Sequence, residues 1–215
     1  MPNSNISIVI PTFNAEASIS LLFKDLLKVF EKFSIQIVII NDCSTDNTHE
    51  ECLKLSKENG SELTYIKLSK NVGEHNAVMA GLKHSTGDWI IVMDDDFQNP
   101  PSEALKLLNY SLSNKFDVVY GNYKKKKHNF FRNLMSKIND LTANYILNKP
   151  KGLYLSSFKT INSKIVKKIS NYNGPFPYID GLIISLTSNI SSIETQHDER
   201  KSGKSGYSLL KLLKL

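Results

Sequence analysis

Short apolar runs alternate along the chain with longer stretches in which apolar residues recur every three or four positions. The short runs are rich in valine and isoleucine, which is typical of buried strands, and the longer stretches predict amphipathic helices. Strands are predicted at residues 6–10 (stopped by Pro11), 35–40, 63–68, 89–93 and 117–120, and helices at residues 17–33, about 45–59, about 73–85 and 102–114. This alternation with short connections predicts an α/β fold with right-handed crossovers and a mostly parallel sheet covered by helices on both faces.

The pattern loosens after residue 121. We predict a basic loop at residues 124–128, a helix at about 130–147, a strand near 154–158, and helices at about 163–169 and 178–186. The sequence contains no internal repeat, low-complexity tract or linker, so a single domain over residues 1–215 is expected.

Composition and charge are those of a soluble globular protein. The 215 residues are 40% hydrophobic and 22% charged, and the net charge of +6 favours anionic partners. We expect no nucleic acid partner, because the chain has no zinc-ligand spacing, RNP-like stretch or basic heptad helix. Two cysteines form no disulfide framework, which favours a reducing compartment. No signal peptide and no apolar run of about 18 residues is found, so no membrane span is expected.

Three consecutive carboxylates, Asp94, Asp95 and Asp96, follow the strand predicted at residues 89–93. Strand ends are where open α/β sheets bind ligands, and acids this close repel one another unless a cation is present. If the chain stays extended, Asp94, Asp96 and Gln98 share one face, while Asp95 and Phe97 take the other. This arrangement predicts a Mg²⁺ or Mn²⁺ site completed by water and phosphate oxygens; a solvated acidic turn is the alternative.

Two other strand ends fall on the same predicted edge of the sheet. Phe13, in the segment Pro11-Thr12-Phe13-Asn14, could form a wall for a flat base, although an ordinary turn would explain these residues equally well. After the second strand, one acid can cap the next helix, leaving Asp42 free to accept an N–H from uracil or guanine, unless both acids serve as caps. Together the three strand ends predict a nucleotide-diphosphate site.

These residues resemble family 2 glycosyltransferases, in order and spacing, over roughly the first half of the chain. The segments that carry the resemblance are residues 8–14, 38–48, 71–73, 80–81, 87–88 and 94–101. The variant Asp-x-Asp-x-Gln-x-Pro-Pro at residues 94–101 is similar to the polyprenyl-phosphate branch, which includes dolichol-phosphate mannose synthase and bacterial undecaprenyl-phosphate sugar transferases. The resemblance implies an inverting transferase of the GT-A nucleotide-diphospho-sugar fold, with a donor-binding half (residues 1–121) and an acceptor-binding half (residues 122–215).

The resemblance also implies roles for individual residues. Asp94 and Asp96 are expected to be catalytic and, with Gln98, to hold the divalent cation. Donor binding is expected at Pro11, Thr12, Phe13, Asn14, Asp42, Asp94, Asp95, Arg200 and Lys204. The last two lie in a segment similar to the family's diphosphate-closing loop, although Gly206 stands where the family usually has lysine. Ala15 also departs from the family, which often has glutamate at that position.

Acceptor binding is expected at Arg132, Ser136 and Ser157. Arg132 and Ser136 are four residues apart, which puts them on one face of the predicted helix; a surface arginine on an amphipathic helix is the alternative. A polyprenyl phosphate is already anionic and needs no general base, whereas a glycan hydroxyl does. Asp180 is the candidate base, with a helix-associated surface acid as the alternative.

The resemblance therefore implies transfer of a sugar from a nucleotide-diphospho-sugar, by preference a UDP-sugar, to polyprenyl (undecaprenyl) phosphate in cell-surface glycan synthesis. A glycan hydroxyl acceptor, a nucleotidyltransferase and a non-catalytic nucleotide-sugar-binding module are the alternatives. Lysines 124–127 and the amphipathic residues 208–215 predict salt-sensitive, peripheral contact with an anionic membrane. We expect a cytoplasmic protein that associates with the inner face of that membrane.

Overall fold

A computed structural model describes residues 4–123 and 153–198. The strands are β1 (Asn5–Thr12), β2 (Ser34–Asn41), β3 (Leu63–Lys67), β4 (Trp89–Val92), β5 (Val118–Tyr123), β6 (Lys159–Asn162) and β7 (Ile190–Thr195). The helices are α1 (Ile19–Val29), α2 (Thr48–Glu58), α3 (Glu74–His84), α4 (Pro101–Asn114), α5 (Ser163–Ile169) and α6 (Ile179–Leu186). The predicted loop at residues 124–128, the helix at 130–147 and the amphipathic residues 208–215 lie outside the described residues.

The described strands form one sheet in the order β3-β2-β1-β4-β6-β5-β7. Strand β6 is antiparallel to both of its neighbours, and the other pairings are parallel. The predicted mostly parallel α/β sheet is therefore confirmed. Because β1, β2 and β4 are adjacent and parallel, the loops that follow them leave from the same edge of the sheet.

Two hydrophobic cores cover the two faces of the sheet. One contains Ile8 of β1 with apolar residues of α1, α2 and α4, and the other contains Val9 with apolar residues of α3, α5 and α6. Successive side chains of a strand point to opposite faces, which is why neighbours in β1 belong to different cores. Helix α3 comes unusually close, since a Cβ on Gly81 would lie 2.4 Å from Cγ1 of Val9. Among the described residues, no helix has both the length and the apolar character needed to span a bilayer.

Several predicted boundaries are wrong, for local reasons. Strand β1 continues through Pro11, because its register with β4 covers only residues 6–9. The Val9 carbonyl accepts from Met93, so the backbone of residue 11 also faces the β4 side, where no ladder bond is lost to a proline. The strand predicted near residues 154–158 instead begins at Lys159, and β7 was not predicted. Leucine recurs at helical spacing in α1, but Leu21 is 51% exposed.

Candidate active site at the carboxyl edge of the sheet

The loops after β1 and β2 are tied together by side-chain hydrogen bonds. The amide of Asn14 donates to the Ser44 hydroxyl at 2.9 Å, and the Asn14 side-chain oxygen accepts from the Thr45 amide at 2.8 Å. Asn14 and Cys43 both have positive φ angles, of 56° and 61°, which turns each loop sharply as its strand ends. The predicted donor residues Pro11, Thr12, Phe13 and Asn14 thus lie beside the end of β2, and the Phe13 ring is 45% exposed.

The loop after β4, residues 93–100, which we call the acidic loop, is not extended as predicted. Pairing ends at Val92, and Phe97 has a φ of 62° with its ring buried. The Gln98 amide donates to Oδ1 of Asp96 at 3.0 Å, so this carboxylate stabilises the turn. The simple alternation that put Asp94, Asp96 and Gln98 on one face therefore does not hold.

Asp94 lies opposite Ser157 from the second half of the chain. The antiparallel register of β4 and β6 pairs Val92 with Lys159, and two residues further along the Ser157 hydroxyl donates to Oδ2 of Asp94 at 2.7 Å. Burial raises the pKa of Asp94 to about 6, and the Glu74 and Asp96 carboxylates raise it as well, while the Ser157 hydrogen bond lowers it. Donor-side and acceptor-side candidates thus meet at this contact.

Asp95 connects the acidic loop to the end of β1. Burial raises the pKa of its carboxyl to about 7, and repulsion from Asp94 and Asp96 adds to this, although the Phe13 amide donates a hydrogen bond to it. Its Oδ2 atom is buried with no hydrogen-bond partner in the part of the chain that the structure describes. A buried carboxylate oxygen without a partner is costly, and a nearby cation would stabilise it.

The acidic loop fits a divalent cation that arrives with its other ligands. Within residues 4–123 and 153–198, no three histidine, cysteine or acidic side chains converge as a metal site. Mg²⁺, however, is commonly held by only one or two carboxylates, with water and substrate phosphates completing its shell. The raised pKa values of Asp94 and Asp95 and the unpartnered oxygen of Asp95 are what such an ion would relieve.

Asp42 is buried and is not free as predicted. Its Oδ1 accepts from the Val72 amide at 2.7 Å, and its Oδ2 accepts from the Gly73 amide at 2.9 Å. Both oxygens therefore hold the turn that starts α3, where Gly73 has a φ of 85°. Thr45 or Asp46 was expected to cap the next helix; α2 instead has Asn47 at its N-cap, and the Asp46 carboxylate accepts from the Thr48 amide at 3.0 Å.

Asp180 is a buried partner of Lys159, and the surface position considered for it is wrong. The Lys159 ammonium and the Tyr120 hydroxyl both donate to Oδ1 of Asp180, the latter at 2.9 Å. Lys159 is itself 3% exposed and lies 5.1 Å from the Tyr120 ring centroid. A carboxylate enclosed in this way is poorly placed to take a proton from a substrate.

Asp198, the last described residue before Arg200 and Lys204, is hydrogen-bonded to the acidic loop. The Asp198 amide donates to the Gln98 carbonyl at 2.8 Å, and the Gln98 side-chain amide donates to the Asp198 carbonyl at 3.3 Å. The centroids of the His197 and Tyr123 rings are 4.0 Å apart. The candidates Arg132, Ser136, Arg200 and Lys204 lie outside the described residues.

Lys159, Tyr120 and Glu74 are site residues that the sequence did not single out for these roles. Lys159 stands beside the Ser157 candidate, but its partner Asp180 is 21 residues away. Glu74 begins α3, and burial raises the pKa of its carboxyl, while Lys159 lowers it. The Glu74 carboxylate also raises the pKa of Asp94.

Comparison with known proteins gives one family. Residues 7–171 match the family described as Glycosyl transferase family 2. The undecaprenyl-phosphate 4-deoxy-4-formamido-L-arabinose transferase of Salmonella choleraesuis (strain SC-B67) is 32% identical over 216 residues, covering 100% of this chain and 66% of the relative. The chain thus spans just under two thirds of the length of the curated relatives it matches.

Solved structures give the same fold. Residues 1–349 of S. aureus TarS in complex with UDP match with a TM-score of 0.60 at 19% identity, over 88% of this chain and 57% of that one. The Mycobacterium tuberculosis glucosyl-3-phosphoglycerate synthase in complex with Mn²⁺, UDP-glucose and phosphoglyceric acid matches with a TM-score of 0.65 at 14% identity, over 98% of this chain and 74% of that one. At these identities the likeness shows the fold alone, and the predicted GT-A architecture is confirmed.

Proposed function

The chain belongs to glycosyltransferase family 2, and from this premise we propose that it transfers a sugar from a nucleotide-diphospho-sugar to a polyprenyl phosphate. The observation that carries the proposal is the meeting of Asp94 with Ser157 at the edge where β1, β2 and β4 end. It brings the acidic loop of the donor half against a residue of the acceptor half. The undecaprenyl-phosphate transferase relative supports a lipid-phosphate acceptor.

The donor binds across the ends of β1 and β2 in this proposal. The exposed Phe13 ring supplies a flat apolar surface for the base, and Pro11, Thr12 and Asn14 shape the loop that carries it. Asp42 contributes mainly by fixing the turn at Val72 and Gly73, and any contact with the base uses its remaining lone pairs. We favour UDP, because similar solved structures contain UDP or UDP-glucose.

Asp94 and Asp96 would hold a divalent cation, Mg²⁺ or Mn²⁺, and Gln98 would offer its side-chain oxygen. Such an ion would supply positive charge opposite the negative charge that develops on the departing nucleoside diphosphate. Asp95, whose buried Oδ2 has no hydrogen-bond partner among the described residues, would add negative charge near the ion when its carboxyl is ionised. Arg200 and Lys204 are proposed to add positive charge on the diphosphate, as their place in the sequence indicates.

The reaction then needs positioning rather than deprotonation of the acceptor. A phosphate oxygen of the acceptor bonds to the anomeric carbon as the bond from that carbon to the β-phosphate oxygen breaks, with inversion, and the nucleoside diphosphate leaves. Arg132 and Ser136 are proposed to hold the acceptor phosphate, with Ser157 beside it, because the Ser157 hydroxyl proton is already donated to Asp94. The enclosure of Asp180 by Lys159 and Tyr120 favours this acceptor over a glycan hydroxyl, which would need a free base.

The lipid acceptor would place the reaction at the inner face of a membrane, with the chain in peripheral contact from the cytoplasm. The net charge of +6 supports contact with an anionic leaflet. This location is part of the proposal and follows from its acceptor.

A donor screen tests the function. Purified protein is incubated with UDP-, GDP- and TDP-sugars, with Mg²⁺ or Mn²⁺ or with EDTA, and then with undecaprenyl phosphate or with a soluble glycan. We expect cation-dependent release of nucleoside diphosphate that rises with the lipid phosphate and not with the glycan. Release of pyrophosphate would indicate a nucleotidyltransferase, and donor binding without any turnover would indicate a binding module.

A further inference from the structure

A tyrosine of strand β3 lies behind the loop that follows β2. Ile39 and Asn41 of β2 are two residues apart and so point to the same face of the sheet, and the parallel register places Tyr65 beside Ile39. Helix α2 covers this face and brings His49 over the tyrosine, with ring centroids 5.8 Å apart and ring planes inclined by 29°. Three polar side chains from β2, β3 and α2 therefore meet behind the donor site.

A backbone amide fixes the orientation of the Asn41 side chain. The Ser44 amide can only donate, and it donates to Oδ1 of Asn41 at 2.8 Å. The Nδ2 atom of Asn41 therefore faces Tyr65, and it donates to the tyrosine oxygen at 3.0 Å. Asn41 is completely buried, so its amide depends on both of these partners.

The direction of the next hydrogen bond follows from the first two. Because the Tyr65 oxygen accepts from Asn41, its own proton is available to the Nδ1 atom of His49, which lies 2.8 Å away. Burial raises the pKa of the Tyr65 hydroxyl to about 12, so the hydroxyl keeps this proton at neutral pH. Nδ1 of His49 is then the acceptor, and the ring proton of the neutral imidazole is on Nε2.

This relay ends at the loops that shape the donor site. The amide of Ser44 donates to Asn41, and its hydroxyl accepts from the Asn14 amide at 2.9 Å. Asn14 and Cys43 both have positive φ angles, which non-glycine residues adopt only when their surroundings hold them there. Asn14 directly follows the exposed Phe13, so the relay fixes the backbone beside the proposed surface for the base.

We propose that Tyr65 is a positioning residue for the nucleotide base, acting through Asn41 and Ser44 on the loop that carries Phe13. His49 completes the relay by accepting the tyrosine proton. The inference rests on the proposed function, because the base belongs to the donor of that function. It extends the donor site to side chains on β3 and α2 that act from behind it.

Removal of the tyrosine hydroxyl tests the proposal. In Tyr65→Phe the ring remains, but the buried Asn41 amide loses its acceptor. Calorimetric titration of the full chain with UDP and Mg²⁺ should give a dissociation constant about fivefold higher, the equivalent of about one hydrogen bond. A network that only stabilises the fold would lower the midpoint of urea unfolding and leave the UDP affinity of the folded protein unchanged, which would overturn the proposal.

Tyr172→Phe is the matched control. The Tyr172 hydroxyl donates to the Phe176 carbonyl at 3.3 Å, and Tyr172 packs on the other face of the sheet from Tyr65. The same change therefore removes one tyrosine hydrogen bond away from the relay, and UDP affinity should change less than about twofold. Equal weakening of UDP binding in the two variants overturns the proposal.

Steady-state kinetics separate positioning of the base from a general loss of activity. Tyr65→Phe should raise the KM for the UDP-sugar about fivefold and change kcat less than about twofold, because the loops contact the base and not the reacting carbon. His49→Phe should raise KM about twofold, and the double variant should be no worse than Tyr65→Phe, since the relay is already broken at the hydroxyl. Effects that multiply in the double variant, or a loss confined to kcat, contradict the relay.

The tautomer of His49 can be measured with the relay intact. Long-range ¹⁵N–¹H correlation spectra at pH 8 should show the His49 proton on Nε2, with the signal assigned by its loss in His49→Gln. A proton on Nδ1 reverses the direction of the relay and overturns the proposal. UDP binding that Tyr65→Phe does not alter overturns the inference alone, whereas an unsubstituted protein that binds no UDP refutes the proposed donor and the inference with it.

Discussion

The Ser157 hydroxyl donates to Oδ2 of Asp94 at 2.7 Å, across 63 residues of sequence. The contact continues the antiparallel pairing of β4 with β6, in which Val92 faces Lys159. The ends of these two strands therefore align a carboxylate of the acidic loop with a hydroxyl from the acceptor half. Since hydrogen bonding to a carboxylate favours its charged form, Ser157 helps to set the charge of Asp94.

Ser157→Ala should weaken cation binding in a pH-dependent way. The pKa of Asp94, about 6 with the hydrogen bond present, should rise by about one unit when the bond is lost. The fraction of ionised Asp94 then falls about fivefold at pH 6 and hardly changes at pH 8. Mn²⁺ titrations of donor hydrolysis at the two pH values measure this. Ser157→Thr keeps the hydroxyl and is the control; equal weakening at both pH values would contradict the mechanism.

The cation-free protein should lose stability as the pH rises. The pKa values of Asp94 and Asp95, about 6 and about 7, lie above the ordinary value, so the folded state holds more protons than the unfolded state in this window. The stabilisation present at acid pH is lost as the pH passes through the folded-state values. Between pH 5 and pH 8 the free energy of unfolding should fall by the order of 3 kcal/mol, at about 1.4 kcal/mol per pKa unit.

Urea unfolding at several pH values in EDTA measures this loss. Asp95→Asn should flatten the pH dependence, because it removes the carboxyl with the higher pKa. Glu31→Gln, which removes an exposed carboxylate after α1, is the matched control. A slope that Asp95→Asn does not alter would refute the assignment of the titrating group. Mn²⁺ should stabilise the protein more at pH 8 than at pH 5.

The buried pair of Lys159 and Asp180 should be costly to break. Lys159→Met leaves Asp180 enclosed without its cation, and the free energy of unfolding should fall by about 3 to 5 kcal/mol. The double variant Lys159→Met/Asp180→Asn should recover about half of this loss, since no buried charge remains. Urea unfolding measures both variants.

A surface pair in the same protein provides the control for that experiment. Lys106 and Glu103 lie 3.0 Å apart, and the Lys106 side chain is 49% exposed. Lys106→Met should cost at most about 1 kcal/mol, because solvent screens an exposed pair. If Lys159→Met costs no more than Lys106→Met, the pair is not the electrostatic contact that its burial implies. If the double variant is no more stable than Lys159→Met, the loss comes from packing rather than from an unpaired charge.

The strands, and the edge of the sheet on which the site lies, can be predicted from the sequence because each buried strand is a run of several apolar residues. Ile6, Val38 and Ile90 belong to runs whose burial on both faces of the sheet tolerates small errors in boundaries. Parallel pairing then brings the loops after β1, β2 and β4 to one edge, whatever their internal geometry. This is why the loops that carry the candidates were found together as expected.

The internal geometry of these loops could not be predicted in the same way. Phe97 has a positive φ angle although it is not a glycine, and its buried ring turns the acidic loop away from an extended path. Strand β6 has only four residues, Lys-Thr-Ile-Asn, which show no clear alternation of apolar and polar positions. Asp180 lies in a helix that was predicted, but nothing in the sequence indicates that Lys159, 21 residues earlier, is its partner.

Asp42→Ala should destabilise the turn before α3 as well as weaken donor binding. The substitution leaves the Val72 and Gly73 amides without their acceptor, and hydrogen bonds to a charged group contribute about 1.5 to 3 kcal/mol each. We expect the free energy of unfolding to fall by about 3 kcal/mol, and Asp42→Asn, which keeps one acceptor oxygen, to lose about half as much. Urea unfolding and UDP titration are measured on the same samples. If UDP affinity is lost while stability is unchanged, Asp42 acts through the base alone, and the structural role derived from its two hydrogen bonds is wrong.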